Sequence, residues 1–319
     1  MQFLPARYDP PGPHQESYLL RLDAYNKETH RRLRDAFACV FETRPVDATI
    51  AVIGSDGRFE KSPASPIELC IYHAGDETAH IISGINNVIR KSSKELFLQE
   101  IDVKDTTQNG INYYRGDSAR AFPTRVTDST AVYGAINHLN SAKQKLVDEW
   151  AGKEGRHILD RVSSKTREAR KIIDKNGEGT YKGTLVRHFD FETGIATYDP
   201  SKFHLSFKAG PLRTVQYAIS RALIKHARKG TMEAAQARNI VRSMPTNTAE
   251  RLGFLADTGC FSISLSDAAT LGEHYNYFNT LYHVSENAFL CGNTETQIAD
   301  KSEAKKRAGE LVTLVDKLD

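Results

Sequence analysis

Apolar positions along this chain follow two different periods. Between His14 and Phe41, Leu22, Tyr25, Leu33, Phe37 and Val40 recur at helical spacing, which predicts one long helix after a Pro-rich opening at Asp9 to Pro13. The period then shortens. Apolar runs near 48–53 and 67–73 and a β-branched and aromatic run near 95–103 predict three strands, with a helix near 77–92. Helices are expected through 128–150 and 155–175, and a β-hairpin through 181–199 around Glu192-Thr193-Gly194. From Gly210 to the end the pattern is helical, punctuated by Gly230, Pro245 and Gly259. Gly210-Pro211 suits a helix start, after which Leu212, Val215, Ile219, Leu223 and Ala227 make one apolar stripe.

This order predicts an α+β protein: a small mixed-sheet domain followed by an α-helical domain. The expected divisions are an N-terminal helix at 1–45, a sheet domain at 46–127, helices and a hairpin at 128–206, and a helical domain at 207–319. A chain of 319 residues is long enough for two domains and a sizeable core.

Composition narrows the partners. A net charge of +3 gives no argument for nucleic acid or a membrane surface. No apolar run has the length of a signal peptide core or a membrane span, so a cytoplasmic protein is expected. Cys39, Cys70, Cys260 and Cys291 are far apart without a CxxC pair, and are expected as reduced, buried thiols. The Lys/Arg-dense stretch from Arg156 to Lys171 is expected as a solvated helix face. There is no H-E-x-x-H spacing, no G-x-S-x-G elbow and no P-loop motif.

The chemistry concentrates in Gly54-Ser55-Asp56-Gly57-Arg58-Phe59-Glu60, a turn between two expected strands. Gly54 lets the backbone approach a ligand closely, Ser55 adds a hydroxyl suited to a phosphate oxygen, and Arg58 adds a planar cation. Glu68 alternates with apolar Ile67 and Leu69, so it faces the opposite side of its strand. Asp102, between Ile101 and Val103, is a second strand-borne carboxylate, with Asp105 as a weaker substitute.

The turn resembles the Gly-Ser signature of the polymerase-β-like nucleotidyltransferases, closest to the G-S-x-G-R-x-E form of the PII uridylyltransferase and glutamine synthetase adenylyltransferase branch. Two more segments add to the resemblance. Asp128-Ser129 with Gly134 is similar to the D-S-x-x-x-x-G segment of those enzymes, with Asp128 or Ser129 as the expected N-cap of the next helix. Lys208-Ala209-Gly210-Pro211-Leu212-Arg213 is similar to their K-x-G-x-G-G-[LI]-R-D motif, with Thr214 at the acidic position. The resemblance covers about half the chain, from roughly residue 47 to 225.

What the resemblance implies is transfer of a nucleoside monophosphate from ATP or UTP to a hydroxyl acceptor on a protein, with Mg2+ or Mn2+, in a cleft between sheet and helical domains. Gly54, Ser55, Arg58, Lys208 and Arg213 would hold the nucleotide, and Glu68 and Asp102 would hold metal. The chain departs from the pattern where Pro66 replaces the first metal-binding Asp and Glu68 the second. Glu60, upstream in the turn, is the expected substitute ligand. Two readings therefore stand: an active transferase, or a degenerate one that serves as nucleotide sensor or protein-binding module.

Overall fold

The computed structural model describes residues 13–62, 67–73, 78–92, 101–103, 124–174, 178–181, 184–187, 189–190, 195–197, 207–290, 295–297 and 301–318. Their layout is α+β. They fall into two compact units, each assembled from separate stretches of chain. One, the sheet unit, comprises Arg21–Ile158 and Ala227–Asn247; the other, the helical unit, comprises Met1–Leu20, Leu159–His226 and Thr248–Asp319.

Helix α1 (Pro13–Val40) is followed by β1 (Ala48–Val52), a single helical turn α2 (Gly54–Gly57), β2 (Ile67–His73), α3 (Thr78–Ser92) and β3 (Ile101–Val103). Next come a short turn α4 (Thr124–Thr127), β4 (Thr130–Gly134), α5 (Asn137–Ala151) and α6 (Gly155–Asp174). The four strands form one sheet in the order β3-β2-β1-β4. β1 pairs antiparallel with both β2 and β4, whereas β2 and β3 run parallel, so the sheet is mixed.

The core of the sheet unit follows from period. Ile50 and Val52 on β1 and Ile67, Leu69 and Ile71 on β2 point one way, and meet Leu33, Phe37 and Phe41 from α1 and its end. Ile81, Ile85 and Val88 bring the apolar face of α3 to the same cluster. Cys70 and Tyr72, on the other face of β2, are also buried, so this strand is covered on both sides.

Two expectations here are corrected. The helix expected over 128–150 begins only at Asn137, because Thr130-Ala131-Val132-Tyr133 joins the sheet as β4. Thr, Val and Tyr suit a pleated strand, and Gly134, at φ +82, ends it where a Cβ would lie 2.0 Å from the Ala48 carbonyl oxygen. Asp128 and Ser129 therefore precede a strand and do not cap a helix.

In the helical unit, β5 (Glu178–Tyr181) and β6 (Thr184–Arg187) form one hairpin, and β7 (Phe189–Asp190) pairs with β8 (Ile195–Thr197). The later elements are α7 (Arg213–Ala227), α8 (Thr231–Ser243), α9 (Thr248–Asp257), α10 (Leu265–Leu290), β9 (Glu295–Gln297) and α11 (Lys301–Asp316). Helix α8 belongs to the sheet unit. The wholly helical C-terminal half is corrected by β9, which pairs with β8. The helix start expected at Gly210-Pro211 is also earlier: a π-helical turn spans Lys208–Leu212 and runs into α7. Pro211 has no N–H to donate, and the wider turn admits its ring. The apolar stripe of α7 is buried as expected, from Leu212 to Ala227.

Of the cysteines, Cys70 and Cys260 are buried, but Cys39 is exposed on α1. Cys291 lies outside the described residues. Among the described residues no helix is long and apolar enough to cross a membrane.

Candidate functional site: the Gly54–Ser62 turn

β1 delivers the chain to Gly54 at the edge of the sheet core, where Ile53 N–H still donates to the Glu68 carbonyl oxygen at 2.9 Å. Gly54 then adopts φ +66, a left-handed conformation that favours glycine. A Cβ at Gly54 would lie 3.1 Å from Glu68 Oε2, so the absence of a side chain is what lets that carboxylate rest against the turn. Glu68 is half-buried. On the neighbouring strand its register partner is Asp102. Glu100, Asp105 and Pro66 lie outside the described residues.

The turn is closed by its own backbone. Gly57 N–H donates to Ile53, Arg58 N–H to Gly54, Phe59 N–H to Asp56 and Glu60 N–H to Ser55. These four donors are engaged internally, so any anion contact through the backbone falls to the Gly54-Ser55-Asp56 end. Phe59 takes φ +60, uncommon for a bulky residue, and is held there by its surroundings.

Those surroundings are polar and buried. Arg58 is 5% exposed. Its Nε donates to Glu60 Oε2 at 2.8 Å and its Nη1 to Asp128 Oδ2 at 2.5 Å. Gly57 abuts the same residue: a Cβ there would lie 1.7 Å from the Asp128 carbonyl oxygen. Thr130 Oγ1 donates to the Gly57 carbonyl at 2.6 Å, and Ser129 Oγ donates to Arg125 O at 2.7 Å and meets Tyr72 Oη at 2.7 Å. Arg58 and Glu60 thus act within the turn. The expected phosphate-facing cation and substitute metal ligand are paired with each other and buried.

Helix α1 grips the other side. Asn26 Nδ2 donates to the carbonyls of Phe59 and Lys61, each at 3.2 Å, and to Leu22 at 2.8 Å. His30 Nε2 lies 3.0 Å from Asp56 Oδ1, with both side chains almost wholly buried, and its ring packs on Phe59 at 4.4 Å between centroids. Lys61 is fully buried, its Nζ 5.5 Å from the Tyr25 ring. Burial pushes the Tyr25 hydroxyl pKa above its ordinary value, and the nearby Asp56 charge adds to the rise.

Sequence reasoning missed Asn26, His30, Asp56 and Lys61. A signal for the first two exists. The buried positions Leu22, Leu33 and Phe37 continue through Asn26 and His30 at helical spacing, so two polar residues stand where the core face would be apolar. Such residues need partners when buried.

Lys208 and Arg213 belong to the helical unit. Lys208 Nζ donates to Tyr282 Oη at 3.2 Å. Arg213 Nη1 donates to Gln216 Oε1 at 2.9 Å, and Gln216 Nε2 donates to Tyr275 Oη at 2.8 Å, which ties α7 to α10.

Among the described residues no group of three or more His, Cys, Asp or Glu side chains could hold a metal ion. Glu60 is bound to Arg58, and the Glu68 carboxylate stands beside Gly54. Among the described residues these side chains do not supply the ligands of a two-metal centre.

No family model matches the chain, and no curated protein matches it.

Proposed function

We propose that this chain is a nucleotidyltransferase-like protein that takes the triphosphate of ATP or UTP against the Gly54-Ser55 end of the turn. The observation that carries the reading is the seat of Glu68 against a left-handed Gly54, with Asp102 as its neighbour in register. A bare triphosphate would be repelled by that carboxylate. The same nucleotide arriving as its magnesium or manganese complex presents a cation to it, so the ligand is the metal-nucleotide complex.

The favoured form is the degenerate one, a nucleotide sensor or protein-binding module. Pro66 has no lone pair to offer on its side chain, and Glu60 is already bound to Arg58. The register pairing of Glu68 with Asp102 favours the second form, an active transferase. There an acceptor hydroxyl, on a protein as the resemblance implies, attacks the α-phosphorus, and pyrophosphate leaves.

Calorimetric titration of magnesium-ATP into wild type and Gly54→Val tests the binding claim. Saturable binding by the wild type, reduced at least about tenfold in the variant, supports it. Equal binding by both places the nucleotide elsewhere. Pyrophosphate release in a purified system would favour the transferring form.

A further inference from the structure

Helices α10 and α11 of the helical unit frame a groove that the nucleotide reading does not use. Lys317 Nζ lies 3.1 Å from Asp267 Oδ2, and the Arg307 guanidinium lies 4.8 Å from the Tyr277 ring centroid; both contacts hold the pair together. The cavity is about 730 Å³, within the range of roughly 300–1,000 Å³ that small-molecule sites occupy.

Its floor holds His274, which is 4% exposed. Arg307 Nη1 lies 3.4 Å from His274 Nδ1. A guanidinium can only donate, so Nδ1 accepts and the imidazole proton sits on Nε2. Burial, with the Arg307 charge beside it, holds the His274 pKa below its ordinary value and keeps the ring neutral. Glu310 Oε2 is 3.2 Å from Nε2 but off the N–H direction, so this buried donor has no hydrogen-bond partner among the described residues. An unmet buried N–H is costly, which makes it a cue for a ligand.

The rest of the lining specifies that ligand. Thr270 and Thr313 donate their hydroxyl protons to Ser266 and Gly309 carbonyls, leaving oxygen lone pairs as acceptors. Lys305 and Lys306 add positive charge at the groove, and Lys306 Nζ lies 4.0 Å from Glu310, moderating that carboxylate. We propose that this groove binds a small hydroxyl-bearing organic anion. A ligand hydroxyl that displaces the exposed Glu310 carboxylate from its place beside the ring accepts from His274 Nε2–H and donates to Glu310, while the anionic group lies with the lysines. The proposal stands independently of the nucleotide reading.

The test is a titration followed through the His274 ring by proton–nitrogen correlation NMR, with glucose 6-phosphate, glucose and inorganic phosphate as probes. Glucose 6-phosphate should shift the Nε2 resonance saturably, and more tightly than either half alone. Surface variants Lys306→Glu and Thr313→Val should each weaken it by about tenfold without unfolding the protein. An Nε2 resonance unmoved by all three probes overturns the proposal. So does phosphate alone matching the ester, or binding that both variants leave unchanged.

Discussion

Arg58 Nη1 and Asp128 Oδ2 meet at 2.5 Å across 70 residues of sequence, and with Glu60 they form a buried triad behind the Gly54 turn. The triad joins two segments that the sequence singled out separately: the glycine-serine turn and the Asp-Ser pair. Removing Arg58 takes from two buried carboxylates the cation they share, and removing Asp128 takes from buried Arg58 one of its two carboxylates. Arg58→Ala or Asp128→Ala should therefore destabilise the protein by about 3–5 kcal/mol, read from urea unfolding. Arg58→Lys should recover little, because an ammonium cannot span both carboxylates as a planar fork does. Wild-type stability in both alanine variants would show the triad to be dispensable.

The two glycines of the turn should separate by mechanism. At Gly57 a Cβ would lie 1.7 Å from the Asp128 carbonyl oxygen, backbone that cannot step aside, so Gly57→Ala should fail to fold as the wild type does. At Gly54 the obstacle is the end of the flexible Glu68 side chain at 3.1 Å, plus the left-handed backbone. Gly54→Ala should remain folded with a loss of about 1–2 kcal/mol. Thermal unfolding of both variants distinguishes them, and equal losses would contradict the geometry.

Much of this turn was legible in the sequence and its support was not. Strands β1 and β2 stand where the short apolar runs placed them, because alternation and β-branching act locally. The support depends on pairs far apart in the chain, such as His30 with Asp56 and Arg58 with Asp128, which no local period reveals. β4 was hidden for a related reason. A five-residue strand adjoining a helix carries too short a period to stand apart, and its place is decided by pairing with β1. Pro211 misled in the opposite sense: its preference for a helix start was overridden by a π turn within a continuing helix.

The cysteines give a chemical check. Burial pushes the Cys70 thiol up to about 12, so almost none is thiolate near neutrality. Cys260 is buried and Cys39 exposed. Native protein treated with iodoacetamide at pH 8 should be labelled at Cys39, with Cys70 and Cys260 reached only after denaturation. Peptide mass mapping reads the result, and rapid native labelling of Cys70 would contradict its burial.

His274 makes stability depend on pH with a definite sign. Its folded pKa lies below the ordinary 6.5, so as pH falls below about 6.5 the unfolded chain takes up a proton that the folded chain refuses. The contribution of this residue is present above that pH and lost on acidification. Urea midpoints measured from pH 8 down to pH 5 should decline, and the decline should be shallower in His274→Gln. An equal slope in the variant would remove His274 as the cause.

The most direct test of the nucleotide reading is calorimetric titration of ATP into wild type and Glu68→Gln, first with magnesium and then with EDTA. The seat of Glu68 beside Gly54 leads us to expect wild-type binding with magnesium that is lost in EDTA, and a much smaller difference in the variant, whose neutral amide no longer repels a bare triphosphate. Absence of binding under every condition, or wild-type binding that is indifferent to EDTA, would contradict the role given to this turn.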